Sequence, residues 1–220
     1  VSTAEIGQRK EASLQFVAGG SLVEAIGGLG ALVLGILGLA GVNPQLMAAV
    51  SALAIGAALL AEGGSLASRY SQLAPDFAGA AGSQEVGTGL TAELVGGVAG
   101  VALGILAILG VEPMMLLAAA AIVFGAALLI GSSATARVND LRLSAATGMS
   151  ERAREIAREA VSAATGAEVL VGLASIALGV LALVTGVGLS LVLVAMLSVG
   201  AAVLLAGSAV GTRIMSVVRH

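Results

Sequence analysis

Glu24, Glu93 and Glu168 each head a long apolar run: EAIGGLGALVLGILGLAG, ELVGGVAGVALGILAILG and EVLVGLASIALGVLALVTG. A carboxylate set against hydrocarbon does one of two things. It holds a cation or a proton, or it serves the backbone beside it. Ionisable side chains within membrane segments are functional suspects by default, and three at one relative position suggest a ring of carboxylates at the mouth of a bundle. The local reading is a capping device. Ser21-Leu22-Val23-Glu24 and Thr165-Gly166-Ala167-Glu168 both match the capping box, in which the Glu side chain bonds back to the N–H of the Ser or Thr cap. The second copy departs, with Leu90 at the cap position and Thr91 one residue later. Helices starting there cover Leu22–Gly41, Thr91–Gly110 and Gly166–Thr185, each 20 residues and so ~30 Å long. Each glutamate then sits in a first turn, where the positive helix end favours an anion. On sequence alone this role is preferred to the ion ring. Glu62 aligns with Gly131 and Ala206 rather than with an acid, and reads as a lone snorkelling residue or a local partner for Arg69.

Other chemistry is sparse. The one histidine is His220 and there is no cysteine, so no thiolate nucleophile, disulfide or zinc cluster can form. No glycine-rich phosphate loop ends in a lysine. The hydroxyls of Ser175, Thr185, Ser190, Ser198 and Ser208 are scattered among apolar neighbours, where bonds back to their own helix carbonyls are expected. The pattern carries no enzyme, no metal centre and no cofactor. A net charge of −3 gives no electrostatic argument for a nucleic-acid partner.

The elements that must position the acids are membrane helices. The chain is 58% hydrophobic and 10% charged, with a mean hydropathy of +1.08. Soluble domains carry roughly 25% charged residues. Ala25–Ala61, Leu94–Val111, Pro113–Ala136 and Val169–Thr212 hold no ionisable residue at all. A span needs about 20 apolar residues, so two of these runs accommodate two spans each and the total is six. No cleavable signal peptide is expected, because a charged amphipathic lead precedes the first apolar run. Tyr70, Phe16, Phe77 and Phe124 are the only aromatics, which leaves no interfacial aromatic belt.

The chain superimposes on itself at the offsets that relate Glu24 to Glu93 and Glu93 to Glu168. Gly28, Gly35, Gly56 and Leu60 meet Gly97, Gly104, Gly125 and Leu129, then Gly172, Gly179, Gly200 and Leu204. The expected fold is therefore an all-α integral membrane protein of six transmembrane helices. These form three fused, repeated antiparallel hairpins with short cytoplasmic amphipathic helices. Its divisions are a lead-in over 1–20, hairpins over 21–68, 90–137 and 165–212, linkers over 69–89 and 138–164, and a tail over 213–220. The turns GVNPQ and GVEPM place Gly after one helix and Pro at the start of the next. Arg9, Lys10, Arg69, Arg142, Arg152, Arg154, Arg158, Arg213 and Arg219 fall on lead-in, linkers or tail, Arg137 is the last residue of the second hairpin, and the tight turns carry none. By the positive-inside rule both termini are cytoplasmic, in the inner membrane. SERAREIAREAVSAA, Ser150–Ala164, reads as a surface-lying amphipathic helix.

Steps of +4, +7, +11 and +14 from each acid stay within about 40° of its direction on a helix. Those positions are Gly28, Ala31, Gly35 and Gly38; Gly97, Gly100, Gly104 and Ala107; and Gly172, Ser175, Gly179 and Ala182. Such stripes let helices approach closely in lipid, where packing rather than hydrophobicity drives association. They can dock within a hairpin or meet around a threefold axis. The expected role is a structural or scaffolding subunit that packs through these stripes, as a homo-oligomer or bound to a larger membrane complex. The alternative is a small-ion or proton channel using Glu24, Glu93 and Glu168. A binder of a lipophilic molecule (quinone, pigment or lipid) is third.

Overall fold

The computed structural model describes residues 22–73, 80–145, 150–185 and 187–218. It is all-helical there: α1 (Leu22–Leu39), α2 (Pro44–Leu73), α3 (Ala80–Ile108), α4 (Pro113–Ala145), α5 (Glu151–Val184) and α6 (Gly188–Val218). Each contains a stretch long and apolar enough to cross a membrane. The lead-in over 1–20 lies outside the described residues.

The first two turns form as their sequences dictate. Gly41 and Gly110 take φ of +91° and +82°, a left-handed conformation that costs glycine nothing. Val42 N–H then donates to Leu37 O at 3.0 Å and Gly41 N–H to Gly38 O at 3.0 Å. This is the Schellman pattern, which satisfies the last carbonyls of a helix. Val111 and Gly110 repeat it on Leu106 and Ala107. Pro44 and Pro113 open α2 and α4, where a missing N–H costs no bond.

Helices α2, α4 and α6 all touch one another and form the interior. Helices α3 and α5 lie in the grooves between α2 and α4 and between α4 and α6. Helix α1 closes the ring between α6 and α2, with Gly28 against Gly200 and Gly27 against Ala58. The inner face advances in four-then-three steps, the seam spacing of coiled helices. Ala48, Leu117 and Val192 form one buried layer, and Ala52, Ala121 and Met196 the next. Ile55, Phe124 and Val199 follow, then Leu59, Leu128 and Val203. The outer helices turn Leu, Val and Ile outward, among them Ile26, Val33, Val98, Ile105, Leu173 and Val180.

Two expectations require correction. The helices bearing Glu93 and Glu168 do not start at Thr91 and Gly166 but at Ala80 and Glu151. For α3 the reason is tertiary. Gly89 packs onto Ile130 and Ala134 of α4, so contact with a neighbour holds the helical turns that its glycines disfavour. For α5 the reason is local. Residues 151–164 are mostly Ala, Glu and Arg, all good helix formers, with Glu151 in the first turn. The short amphipathic helix expected there is not a separate element; it is the first part of α5, continuous with the span.

Candidate functional site

The twelve small residues of the stripes are all buried. Each stripe docks mainly on the inner helix of the neighbouring pair, an arrangement that spacing alone left open. A Cβ on Gly97 of α3 would lie 2.8 Å from Gly56 O of α2. One on Gly172 of α5 would lie 2.7 Å from Gly125 O of α4, and one on Gly28 of α1 2.7 Å from Gly200 O of α6. Real Cβ atoms do not come so close, so each crossing brings backbone against backbone. Gly104 and Gly179 continue onto Ala49 and Leu53 and onto Ala118 and Ile122, and Gly35 onto Leu197. Gly38 meets Leu193 and Met47, Ala31 packs on Gly200, and Gly100 receives the ring of Phe124. Ala107 and Ala182 end the stripes and are buried. Ser175 departs from expectation, since its Oγ donates across helices to Ala121 O at 2.8 Å. Thr185 and Ser198 do bond back to their own helices.

The acids stand at the other end of the stripes from the turns. Glu24, Glu93 and Glu168 are all buried, and so is Glu62. The capping role fails for two of them. Glu93 lies 13 residues into α3 and Glu168 lies 17 into α5, so neither has an uncapped N–H to serve. Thr91 Oγ1 likewise donates to Gly87 O at 2.8 Å, one turn back along its own helix.

What gathers the acids is Glu62, whose importance sequence reasoning missed. It continues the seam of Ala48, Ala52, Ile55 and Leu59, and so sits where the apolar layers end. Glu62 is the strongest electrostatic neighbour of Glu93, followed by Glu168 and Glu24, and it neighbours Glu168 as well. Four carboxylates from α1, α2, α3 and α5 thus share one region. The signal was available: the same four-three count that defines the seam reaches Glu62, and its counterparts Gly131 and Ala206 are small. The side chain of Arg69, its expected partner, lies outside the described residues.

Glu93 is the best defined of the four. It is 2% exposed. Its Cβ would be 3.4 Å from a Cβ on Gly63 of α2, and its carboxylate occupies the space that a side chain at Gly131 of α4 would fill. Its Oε2 is buried without a hydrogen-bond partner. The hydroxyl of Ser132, next to Gly131, is turned to Leu129 O at 2.9 Å. The six spans contain no Lys, Arg or His. A buried carboxylate needs positive charge or hydrogen-bond donors to offset lost hydration, and a cluster of them needs it more. Among the described residues no group of three or more His, Cys, Asp or Glu side chains is disposed to hold a metal ion.

Fold and site together define an all-helical bundle with six potential membrane spans and an acid cluster closing one end of its apolar interior. No family model, curated protein or solved structure matches the chain.

Proposed function

We propose that this chain is a multi-pass inner-membrane protein of three fused hairpins that binds a proton or small cation at its cytoplasmic end. The observation that carries the reading is the gathering of Glu24, Glu62, Glu93 and Glu168 from four helices into a buried region whose spans hold no basic residue. Membrane insertion is supported by the six apolar helices and their outward aliphatic faces. The side is read from the basic residues, none of which falls on a tight turn between paired helices. The layers of Ala48, Ala52, Ile55 and Leu59 with their counterparts fill the axis. The site therefore binds its occupant from one side instead of lining an open pore.

Purified protein in nanodiscs tests this. Radioactive sodium binding, or proton uptake followed with a pH dye, is expected for the wild type and lost in Glu24→Gln/Glu93→Gln/Glu168→Gln. Absence of both signals in folded wild-type protein overturns the reading.

Scaffolding is the second reading, favoured by one feature. The stripes are consumed within the chain, but α5 extends well beyond its span, and its Glu151, Glu155, Ile156, Arg158 and Glu159 are exposed. A partner complex would dock there, and co-purification lost on Ile156→Glu would support it.

A further inference from the structure

We infer, building on the cation-site reading above, that the occupant is a single monovalent positive charge, seated between Glu62 and the Glu93 carboxylate that fills the niche left by Gly131. The pseudo-threefold pattern makes this position unique. The seam residues that end the apolar layers are Glu62, Gly131 and Ala206, so three equivalent places hold a carboxylate, a hydrogen and a methyl group. Gly131 leaves room for a neighbouring carboxylate to enter, and the atoms that a Cβ there would meet are Oε1, Cγ and Cδ of Glu93, the last two at 2.9 and 3.1 Å. Gly63 flanks the same side chain from α2. Glu93 is therefore held between two glycines, buried, with Oε2 lacking a hydrogen-bond partner. That unmet oxygen, 98% of the residue being enclosed, points to a ligand that the acid cluster alone would not imply.

The class of ligand follows from the donor set. Ca²⁺ takes about 6–8 oxygens and Mg²⁺ demands near-octahedral coordination, and the carboxylates here form no cage of three. Two carboxylates with the shared electrostatic neighbourhood of Glu24 and Glu168 suit one proton or one Na⁺ or Li⁺ ion. Gly131 is then a positioning residue. A methyl group there displaces the carboxylate of Glu93, the flexible end of a side chain, and leaves the backbone in place.

The test uses the full chain in nanodiscs, with circular dichroism and elution volume confirming the fold of every variant. If the charge is Na⁺, radioactive sodium binds at one per chain and Glu93→Gln abolishes it. If it is a proton, an infrared carboxylic-acid carbonyl band that shifts in D₂O disappears in Glu93→Gln. In either case Gly131→Ala weakens binding about ten-fold or shifts that band. Shortening the acid in Gly131→Ala/Glu93→Asp restores the signal, and Ala206→Gly leaves it unchanged. Three ions per chain, equal losses in Glu24→Gln, Glu93→Gln and Glu168→Gln, Ca²⁺ outcompeting Na⁺, or a silent Gly131→Ala each overturn the inference while the cation-site reading stands. Wild-type protein with neither sodium binding nor a carboxylic-acid band overturns both.

Discussion

The apolar middle of the bundle and the layer that ends it lie on the same three inner helices, two turns apart, yet they obey opposite rules. In the middle, Ile55, Phe124 and Val199 occupy equivalent places and differ only in apolar bulk. At the end, Glu62, Gly131 and Ala206 differ in kind. A packed layer tolerates variation in shape provided its volume is filled. A polar site requires particular atoms in particular places, so symmetry is abandoned there. The middle adds stability and the end subtracts from it, because a buried acid oxygen without a partner opposes folding.

The largest effect should come from separating the backbones that create both regions. Gly97→Leu places a side chain against Leu60 and Gly56 O and is expected to abolish the folded bundle, read as loss of a cooperative unfolding transition. Gly30→Leu is the matched control, since nothing lies within 4 Å of a Cβ there, and its transition should be unchanged.

Next in size, Phe124→Ala opens a cavity in the middle layer. A loss of about 3 kcal/mol is expected, measured by denaturant titration in mixed micelles, with cation or proton uptake preserved. Glu93→Gln should do the reverse. Uptake is lost, while stability rises by about 1 kcal/mol as a buried carboxyl with an unpartnered oxygen is replaced by a neutral amide. A destabilised Glu93→Gln would mean that the acid end also holds the bundle together, and the contrast between the regions would collapse.

The smallest effect is expected at Ser175. Its bond to Ala121 O crosses between α5 and α4, and interhelical hydrogen bonds in membrane proteins average about 0.6 kcal/mol. Ser175→Ala should cost that much and leave uptake untouched. A cost several times larger would show that packing alone does not account for the α4–α5 seam.

Much of this was legible in the residues. The six apolar spans, the Gly and Pro of the first two turns and the stripes below each acid all read directly, because each depends on local spacing or on composition. Glu93 and Glu168 were misjudged for a physical reason. Their surroundings match a helix start, but a capping box has meaning only where a helix begins, and packing of α3 on α4 together with the Ala- and Arg-rich lead of α5 moved the beginnings upstream. Glu62 was undervalued because an acid without repeated counterparts looks incidental in an alignment of copies. Its importance lies in facing the axis.

The sequence by itself determined which residues share a helical face and that each face of small residues suits the close approach of another helix. Helical periodicity is a property of a single chain segment, so these conclusions needed no neighbours. Only the tertiary structure decided that the stripe of one helical pair docks on the next pair and that α1 closes the ring on α6. The choice among partners depends on how three pairs fill space together. The entry of the Glu93 carboxylate beside Gly131 was decided at that level too.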